Sequence, residues 1–369
     1  FKQKTAYEIR LSLVGSEMCI RDRVRKASVA SRGVVRVPSI GGMTTPNSPP
    51  VSTPVAGPPF AMPVSGLKVI SLIASDIKLA HSVFALPFAI LASFLVGPSV
   101  DSAAGAWGEW RTFGAKLAVV VICMVFARSW AMVVNRLVDR GFDARNERTK
   151  RRVFAAGRLS AKTGWMAAAA CAGAFIGSAS LFWFFFGNMW PLYLCVPVLA
   201  WIAFYSFTKR FTALCHVFLG GALAASPLAA AIAVEPSRVG STPALFFLAG
   251  FVLLWVAGFD VIYALADQDF DRARGLSSVP AKLGTRGALW VSRVLHAAAA
   301  VVLVLAARQD ARFGMIFSAA IVLVVGLLVL EHVIVARRGK AGLDMAFFTV
   351  NGVVSCVLGV AGCVDVVWG

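Results

Sequence analysis

An all-α, polytopic membrane protein is predicted by three features of this sequence of 369 residues. Hydrophobic residues make up 59% of the chain. Charged residues make up 15%, whereas soluble domains have about 25%. The apolar residues also fall in runs of about 20, the length of helix that crosses a bilayer core. These features exclude an ordinary soluble domain.

Nine membrane spans are predicted from residue 67 to residue 369. They lie at about 70–97, 115–135, 163–184, 190–207, 212–234, 243–265, 286–306, 314–335 and 346–368. Because the number is odd, the two ends of the domain are expected on opposite sides of the membrane.

The net charge of +18 is explained by the loops between these spans. Eighteen Lys and Arg residues follow the second, fourth, sixth and eighth spans, and four fall in the opposite loops. Positively charged loops stay in the cytoplasm. The N-terminus is therefore predicted to be cytoplasmic. The protein itself is expected in the inner (plasma) membrane of a bacterium. The basic residues form no groove with interleaved aromatics, so the bilayer rather than nucleic acid is the predicted partner.

Residues 1–66 are predicted to be a disordered, basic, proline-rich tail. Residues 37–63 hold eight of the sixteen prolines, interleaved with Ser, Thr and Gly, which is a linker composition. Residues 13–23 (LVGSEMCIRDR) resemble translated sequencing-adapter sequence. Residues 1–23 are for that reason a candidate for non-native sequence.

Two acidic clusters stand out in this apolar chain. Asn135, Asp139 and Asp143 follow the second span at intervals of four, which places them on one helical face. Asp267 and Asp271 follow the sixth span with the same spacing. Magnesium is usually held by one or two carboxylates together with substrate phosphates. The clusters therefore predict a Mg²⁺ site that binds a diphosphate.

Several basic residues accompany these clusters. Arg128 lies inside the second span, where an isolated Arg costs at least ~2.5 kcal/mol, so a site role or a structural ion pair is expected. Four others are either ordinary cytoplasmic loop charges or ligands for the diphosphate: Arg148, Arg152, Lys209 and Arg210.

Four segments resemble the UbiA family of intramembrane aromatic prenyltransferases. They are HSVFALPFA at 81–89, RSWAMVVNRLVDRGFDARN at 128–146, YSFTKRFT at 205–212 and GFDVIYALADQDFDRARGLSSVPAKLG at 258–284. The resemblance covers about residues 67–369 and is strongest to 4-hydroxybenzoate polyprenyltransferases and the related menaquinone enzymes of the futalosine route.

The resemblance implies nine helices around a central cavity, with the two motif loops forming a cytoplasmic cap. It implies transfer of a polyprenyl group from polyprenyl diphosphate to an aromatic acid in ubiquinone or menaquinone biosynthesis. It assigns Mg²⁺ to Asn135, Asp139, Asp143, Asp267 and Asp271. It also implies that the diphosphate is held by Tyr205, Lys209 and Arg152, and we add Arg148 and Arg210 to this set.

Arg128 and Asp260 are the predicted catalytic residues. Arg128 lies about two turns, or ~10 Å, deeper than Asn135 on the same helical face, which is too far to bind the same phosphate oxygens. The ring must attack the carbon next to the diphosphate, so Arg128 is expected to hold the carboxylate or phenolate of the acceptor. Asp260 shares a face with Asp267 and is expected to orient Arg128 or to take the ring proton.

Three other functions could use similar residues. A transporter or channel could use intramembrane Asp and Arg, but it would place them near the bilayer midplane. A CDP-alcohol phosphotransferase also uses paired Asp residues, but its DG-x2-AR spacing is absent from this sequence. A haem- or chlorophyll-type prenyltransferase of the same family differs only in its acceptor and stays open.

Overall fold

A computed structural model describes residues 66–77, 84–98 and 106–368 of the chain. Within these ranges the backbone forms helices and turns, with no β-strand. The predicted all-α class is therefore confirmed. Apart from residue 66, the predicted tail lies outside the described residues, and its lack of a fold stays a prediction.

Thirteen α-helices follow one another along the described residues. They are α1 (Gly66–Ile77), α2 (Leu86–Val96), α3 (Ala106–Val138), α4 (Arg140–Asp143), α5 (Ala161–Phe186), α6 (Trp190–Thr208), α7 (Cys215–Val234), α8 (Pro236–Val239), α9 (Ala244–Tyr263), α10 (Gln268–Ala273), α11 (Val279–Arg308), α12 (Met315–Arg338) and α13 (Asn351–Trp368). Two 3₁₀ turns, Ala264–Asp267 and Gly339–Gly342, and one π-helical segment, Met345–Val350, connect them.

Eight helical segments in the described part of the chain are long and apolar enough to cross a membrane. They coincide with the second to ninth predicted spans, because an apolar run of this length forms its backbone hydrogen bonds locally. The first predicted span, 70–97, falls on α1 and the shorter apolar helix α2, with residues 78–83 outside the described ranges. The count of nine thus stays a prediction.

Helix α11 is broken near its start. Gly284 has φ +69°, a left-handed conformation that residues with a Cβ rarely adopt. The break separates a first turn, which begins at the Ser278 N-cap, from the long apolar part of the helix. This part begins at the place where the seventh span was predicted from the sequence.

Helix α9 forms the centre of the bundle. It packs against α7 and α11, and Phe251 and Trp255 on α9 are fully buried. Trp255 contacts Phe88 of α2 edge-on and stacks parallel to Phe251. Close packing with α7 depends on Gly220, where an added Cβ would lie 2.3 Å from a backbone oxygen of α9. The second acidic cluster therefore follows a helix that is fixed on several sides.

A buried polar network fixes the start of α13. Asn351 accepts a hydrogen bond from Trp255 Nε1 at 2.7 Å and donates to Glu331 Oε1 at 3.0 Å. Its amide also donates to the carbonyl of Ala346, inside the π-helical segment, at 3.0 Å. Asn351 thus joins α9, α12 and α13, and the adjacent π-helical segment presents Phe347 to the large cavity described below.

Candidate active site

One cavity of about 1040 Å³ runs inside the helical bundle. Its charged end lies where α3, α6 and α9 finish, and its deeper walls are apolar residues of α3, α5 and α7. All of the residues predicted for the site line it: Arg128, Asn135, Asp139, Asp143, Arg148, Arg152, Tyr205, Lys209, Arg210, Asp260, Asp267 and Asp271. The structure therefore brings both acidic clusters to one cavity.

The first cluster lies at a break between two helices. Helix α3 ends at Val138 and α4 starts at Arg140, but the amides of Asp139 and Asp143 still bond to the carbonyls four residues earlier. Helical spacing is thus retained across the break. Asn135 Nδ2 donates to Asp139 Oδ2 at 3.3 Å. The one-face geometry predicted from the spacing is kept by these local bonds.

The second cluster lies on a 3₁₀ turn and on the short helix α10. Asp267 ends the 3₁₀ turn, and Asp271 is fully buried on α10, where Ser278 Oγ donates to its Oδ2 at 2.8 Å. Asn146, from the loop after the first cluster, donates to Asp267 Oδ1 at 2.9 Å. The loops that carry the two clusters therefore contact each other directly.

Each of the four carboxylates is paired with one predicted diphosphate ligand. Arg152 Nη1 lies 2.7 Å from Asp143 Oδ1, and Lys209 Nζ lies 2.8 Å from Asp271 Oδ1. Arg210 Nη2 lies 3.4 Å from Asp139 Oδ1. Arg148 forms a two-pronged contact with Asp267, with its Nε 2.9 Å from Oδ1 and its Nη2 bonded to Oδ2. The charged end of the cavity is therefore lined by four acid–base pairs.

Burial and neighbouring charges shift the pKa values in these pairs to different degrees. Burial raises the pKa of Asp139, the nearby Asp143 carboxylate raises it further, and Arg210 offsets only part of this rise. Burial by itself would lower the pKa of Arg148, but the hydrogen bond and charge of Asp267 outweigh it and raise the pKa. Arg148 therefore stays charged, while Asp139 is a carboxylate that would gain from an additional cation.

Arg128 reaches the cavity below the acidic clusters. Its Nε is buried and has no hydrogen-bond partner among the described residues. Tyr205 also lines the cavity and lies close enough to interact with the charge of Arg128. A buried donor without a partner costs free energy, and such donors are commonly satisfied by a ligand or by water. Arg128 is therefore suited to bind an anionic or polar group inside the cavity.

Asp260 is joined to a histidine that the sequence analysis did not single out. His216 Nδ1 lies 2.6 Å from Asp260 Oδ2, and His216 is 3% exposed. Among the described residues, Asp260 forms no hydrogen bond or ion pair with Arg128, so the expected orientation of Arg128 by Asp260 is not seen. A lone histidine in the apolar span 212–234 was the signal that could have identified this pair.

Arg136 was counted only as a cytoplasmic loop charge, but it is largely buried against the cavity. Its Nη1 donates to Asn135 Oδ1 at 3.1 Å, and its Nε lies 3.7 Å from Asp76 Oδ2 on α1. Asp76 Oδ1 also accepts a hydrogen bond from the amide of Val153 at 3.1 Å. These contacts connect α1 and the loop after the first cluster, and nothing in the local sequence pattern reveals them.

The carboxylates suit a hard divalent cation, with the substrate as co-ligand. Within the described ranges, no group of three or more His, Cys, Asp or Glu side chains lies close enough to share a metal ion. Magnesium, however, is usually bound through one or two carboxylates and the oxygens of substrate phosphates. Asp139 and Asp143 on one side and Asp267 and Asp271 on the other match that donor set.

The fold and site define a multi-pass membrane protein whose helical bundle holds a cavity with one charged end. Residues 83–353 match the model of the UbiA prenyltransferase family. This range covers most of the chain. The chain belongs to the UbiA prenyltransferase family.

Curated relatives of this chain are bacterial proteins. It is 31% identical over 240 residues to a 4-hydroxybenzoate octaprenyltransferase of Marinobacter nauticus, covering 64% of this chain and 78% of the relative. It is 34% identical over 172 residues to a protein of the same name from Stutzerimonas stutzeri, covering 46% of this chain and 54% of the relative. A third of that name, from Methylococcus capsulatus, is 28% identical over 245 residues, covering 65% of this chain and 79% of the relative.

Solved structures share the fold. The apo structure of a UbiA homologue from Aeropyrum pernix K1 matches with a TM-score of 0.65 and 29% identity, covering 78% of this chain and 98% of that one. A UbiA homologue from Archaeoglobus fulgidus, bound to GPP and Mg²⁺, matches with a TM-score of 0.57 and 15% identity, covering 80% of this chain and 99% of that one. The second likeness is evidence for the fold alone.

Proposed function

We propose that this protein transfers a polyprenyl group from a polyprenyl diphosphate to 4-hydroxybenzoate, with Mg²⁺, as a step of ubiquinone biosynthesis. The curated relatives carry the name of that activity, and a structural neighbour is bound to GPP and Mg²⁺. The observation that carries the proposal is the pairing of four carboxylates with four Arg and Lys side chains at one end of the cavity.

The paired charges suit a diphosphate that arrives with its metal. On binding, the four carboxylates would turn to the cation, and their basic partners would turn to the phosphate oxygens. Magnesium, when bound, neutralises charge on the departing diphosphate. Lys209 and Arg152 would donate hydrogen bonds to the same oxygens, and these bonds strengthen as negative charge develops on the leaving group.

The acceptor would lie deeper in the cavity, next to Arg128. The buried Arg128 Nε needs a partner, and a carboxylate or phenolate would supply one through paired hydrogen bonds. Asp260 lines the same cavity and would take the proton that the ring loses after it attacks the allylic carbon. These two residues would fix the ring on the side of the allylic carbon that faces away from the mouth.

The apolar part of the cavity would hold the isoprenoid and exclude water. Phe182, Ala230 and Ala233 line this part, several turns away from the acidic clusters. Water must be kept from the allylic carbon, because it would otherwise capture the carbocation before the ring does. A site inside a membrane bundle meets this need.

Two other functions compete with this one. A dihydroxynaphthoate acceptor, or a haem- or chlorophyll-type acceptor, would use the same diphosphate site, so only the acceptor pocket distinguishes them. A transporter would need charges along a path through the bilayer. The carboxylates of the two clusters instead gather at one end of the cavity, which favours a transferase.

The experiment that tests the proposal uses membranes that contain the protein. They are incubated with Mg²⁺, polyprenyl diphosphates of several lengths, and a panel of 4-hydroxybenzoate, dihydroxynaphthoates and homogentisate. The expected product, identified by mass, is polyprenylated 4-hydroxybenzoate. Membranes with Asp267→Asn are the control for endogenous enzymes. A product formed only with another acceptor would replace the proposed acceptor, and no product with any acceptor would overturn the proposal.

A further inference from the structure

His216 makes two contacts, one through each nitrogen of its imidazole ring. It is the second residue of α7, and its Nδ1 lies 2.6 Å from Asp260 Oδ2 on α9. Its Nε2 lies 3.3 Å from the backbone nitrogen of Val279, the first residue of α11. The imidazole thus bridges three helices, and each of its two nitrogens has a partner of a different kind.

The partner of Nε2 decides where the imidazole proton lies. A backbone amide can only donate a hydrogen bond, so Nε2 must accept and cannot carry a proton. The amide of Val279 also belongs to the start of α11, and the positive end of a helix disfavours a further positive charge. The single proton of a neutral imidazole therefore lies on Nδ1 and is donated to Asp260.

Asp260 is the more exposed partner of the pair. Its side chain is 22% exposed, against 4% for His216, and it faces the large cavity. It precedes Asp267 by seven residues, which places it about 10 Å deeper than the second acidic cluster. An acceptor ring that attacks the carbon next to the diphosphate would lie at this depth. His216 lines the same cavity but is the more buried of the two, so the carboxylate presents more surface to the ring.

We propose that His216 is a positioning residue that holds Asp260 as an ionised, correctly turned base for the ring proton. This inference rests on the proposed function. In the step concerned, the bond from the allylic carbon to diphosphate oxygen breaks and diphosphate leaves, and a ring carbon then bonds to the allylic carbon. The ring C–H bond then breaks, its electron pair restores aromaticity, and the proton passes to Asp260. His216 keeps one carboxylate oxygen fixed throughout.

The test is a kinetic isotope effect measured with purified variants. The acceptor is 4-hydroxybenzoate with deuterium at both carbons next to the hydroxyl-bearing carbon. In the wild-type enzyme the loss of the proton follows the slow ionisation. Deuterated and ordinary 4-hydroxybenzoate should therefore react at the same rate. His216→Ala should lower kcat by about 10-fold to 100-fold and reveal a primary isotope effect. The KM for polyprenyl diphosphate should be unchanged.

Two further substitutions separate positioning from simple support of the fold. His216→Asn places an amide donor near the position of Nδ1 and should restore part of kcat and reduce the isotope effect. His296→Ala removes another buried histidine, which contacts a backbone oxygen of Trp255 outside the cavity, and should show no isotope effect. If His216→Ala does not fold, His216→Phe keeps an aromatic ring at this position but donates no hydrogen bond to Asp260, and it gives the same isotope test.

The outcomes are distinguishable from a failure of the proposed function. If the wild-type protein prenylates no aromatic acid, the proposed function is wrong and the isotope test does not apply. If the wild type is active and His216→Ala keeps its kcat, the inference is overturned. The same holds if His216→Ala loses rate without any isotope effect, because His216 would then only support the packing of α7, α9 and α11.

Discussion

Lys209 Nζ lies 2.8 Å from Asp271 Oδ1, so the end of α6 is tied to the second acidic cluster by an ion pair. Asp271 is fully buried, whereas a third of the lysine side chain is exposed. Burial alone would lower the pKa of Lys209, but the charge and hydrogen bond of Asp271 outweigh it and raise the pKa. Lys209 therefore stays protonated at neutral pH, and its positive charge suits it to bind phosphate.

Removing this lysine should affect both stability and activity. Lys209→Met leaves a buried carboxylate without its cation, which should cost roughly 1–3 kcal/mol and lower the Tm in detergent. The double variant Lys209→Met with Asp271→Asn removes the stranded charge and should recover most of the Tm, but it should stay inactive. A double variant that regains activity would show that the pair is only structural.

Single carboxylates of the clusters should be indispensable for turnover. Asp139→Asn and Asp267→Asn each remove a ligand for the cation while keeping the size of the side chain. We expect kcat to fall by about 100-fold or more, with normal insertion into the membrane. Asp269→Asn is the matched control, since Asp269 is exposed and pairs with Lys340 outside the cavity. Near-wild-type rates for Asp139→Asn at saturating Mg²⁺ would contradict the metal assignment.

Arg128→Lys should separate the acceptor from the diphosphate. Lysine keeps the charge but loses the planar fork, so the KM for 4-hydroxybenzoate should rise by roughly 10-fold, while the KM for polyprenyl diphosphate changes little. Steady-state kinetics with each substrate varied in turn measure both constants. If only the diphosphate constant rises, Arg128 belongs to the phosphate site. If neither constant changes, Arg128 has a purely structural role.

The loops that carry the two clusters should face the cytoplasm. A cysteine at Arg274, an exposed position after α10, should react with a membrane-impermeant thiol reagent only in inside-out vesicles. A cysteine at Ser241, exposed between α8 and α9, should react only in right-side-out vesicles. The protein with its native cysteines alone gives the background. Labelling of the two positions from the reverse sides would invert the predicted topology.

The second to ninth spans could be predicted from sequence because each depends on local composition. The one-face geometry of Asn135, Asp139 and Asp143 could be predicted as well, since hydrogen bonds between residues four apart carry it across the break after α3. Contacts between distant residues could not. His216 and Asp260 are 44 positions apart, and neither residue identifies the other in the sequence.

Arg136 shows the limit of counting charges in loops. It was assigned to topology because it follows an apolar span, yet it lies against the cavity and contacts Asn135 and Asp76. Its burial depends on where α1 and the loop around Val153 pack, which is tertiary information. The sequence pattern therefore predicts which segments supply the site, but not which charges of those segments face it.

The most direct test of the account measures both products of the reaction in one experiment. Purified protein is incubated with Mg²⁺, 4-hydroxybenzoate and a long polyprenyl diphosphate, and the released diphosphate and the prenylated acid are quantified together. The account predicts equal amounts of the two, with the polyprenyl group bonded to a ring carbon, and neither product after removal of Mg²⁺ with a chelator. Release of diphosphate without any prenylated acid, or the absence of both products with Mg²⁺ present, would contradict it.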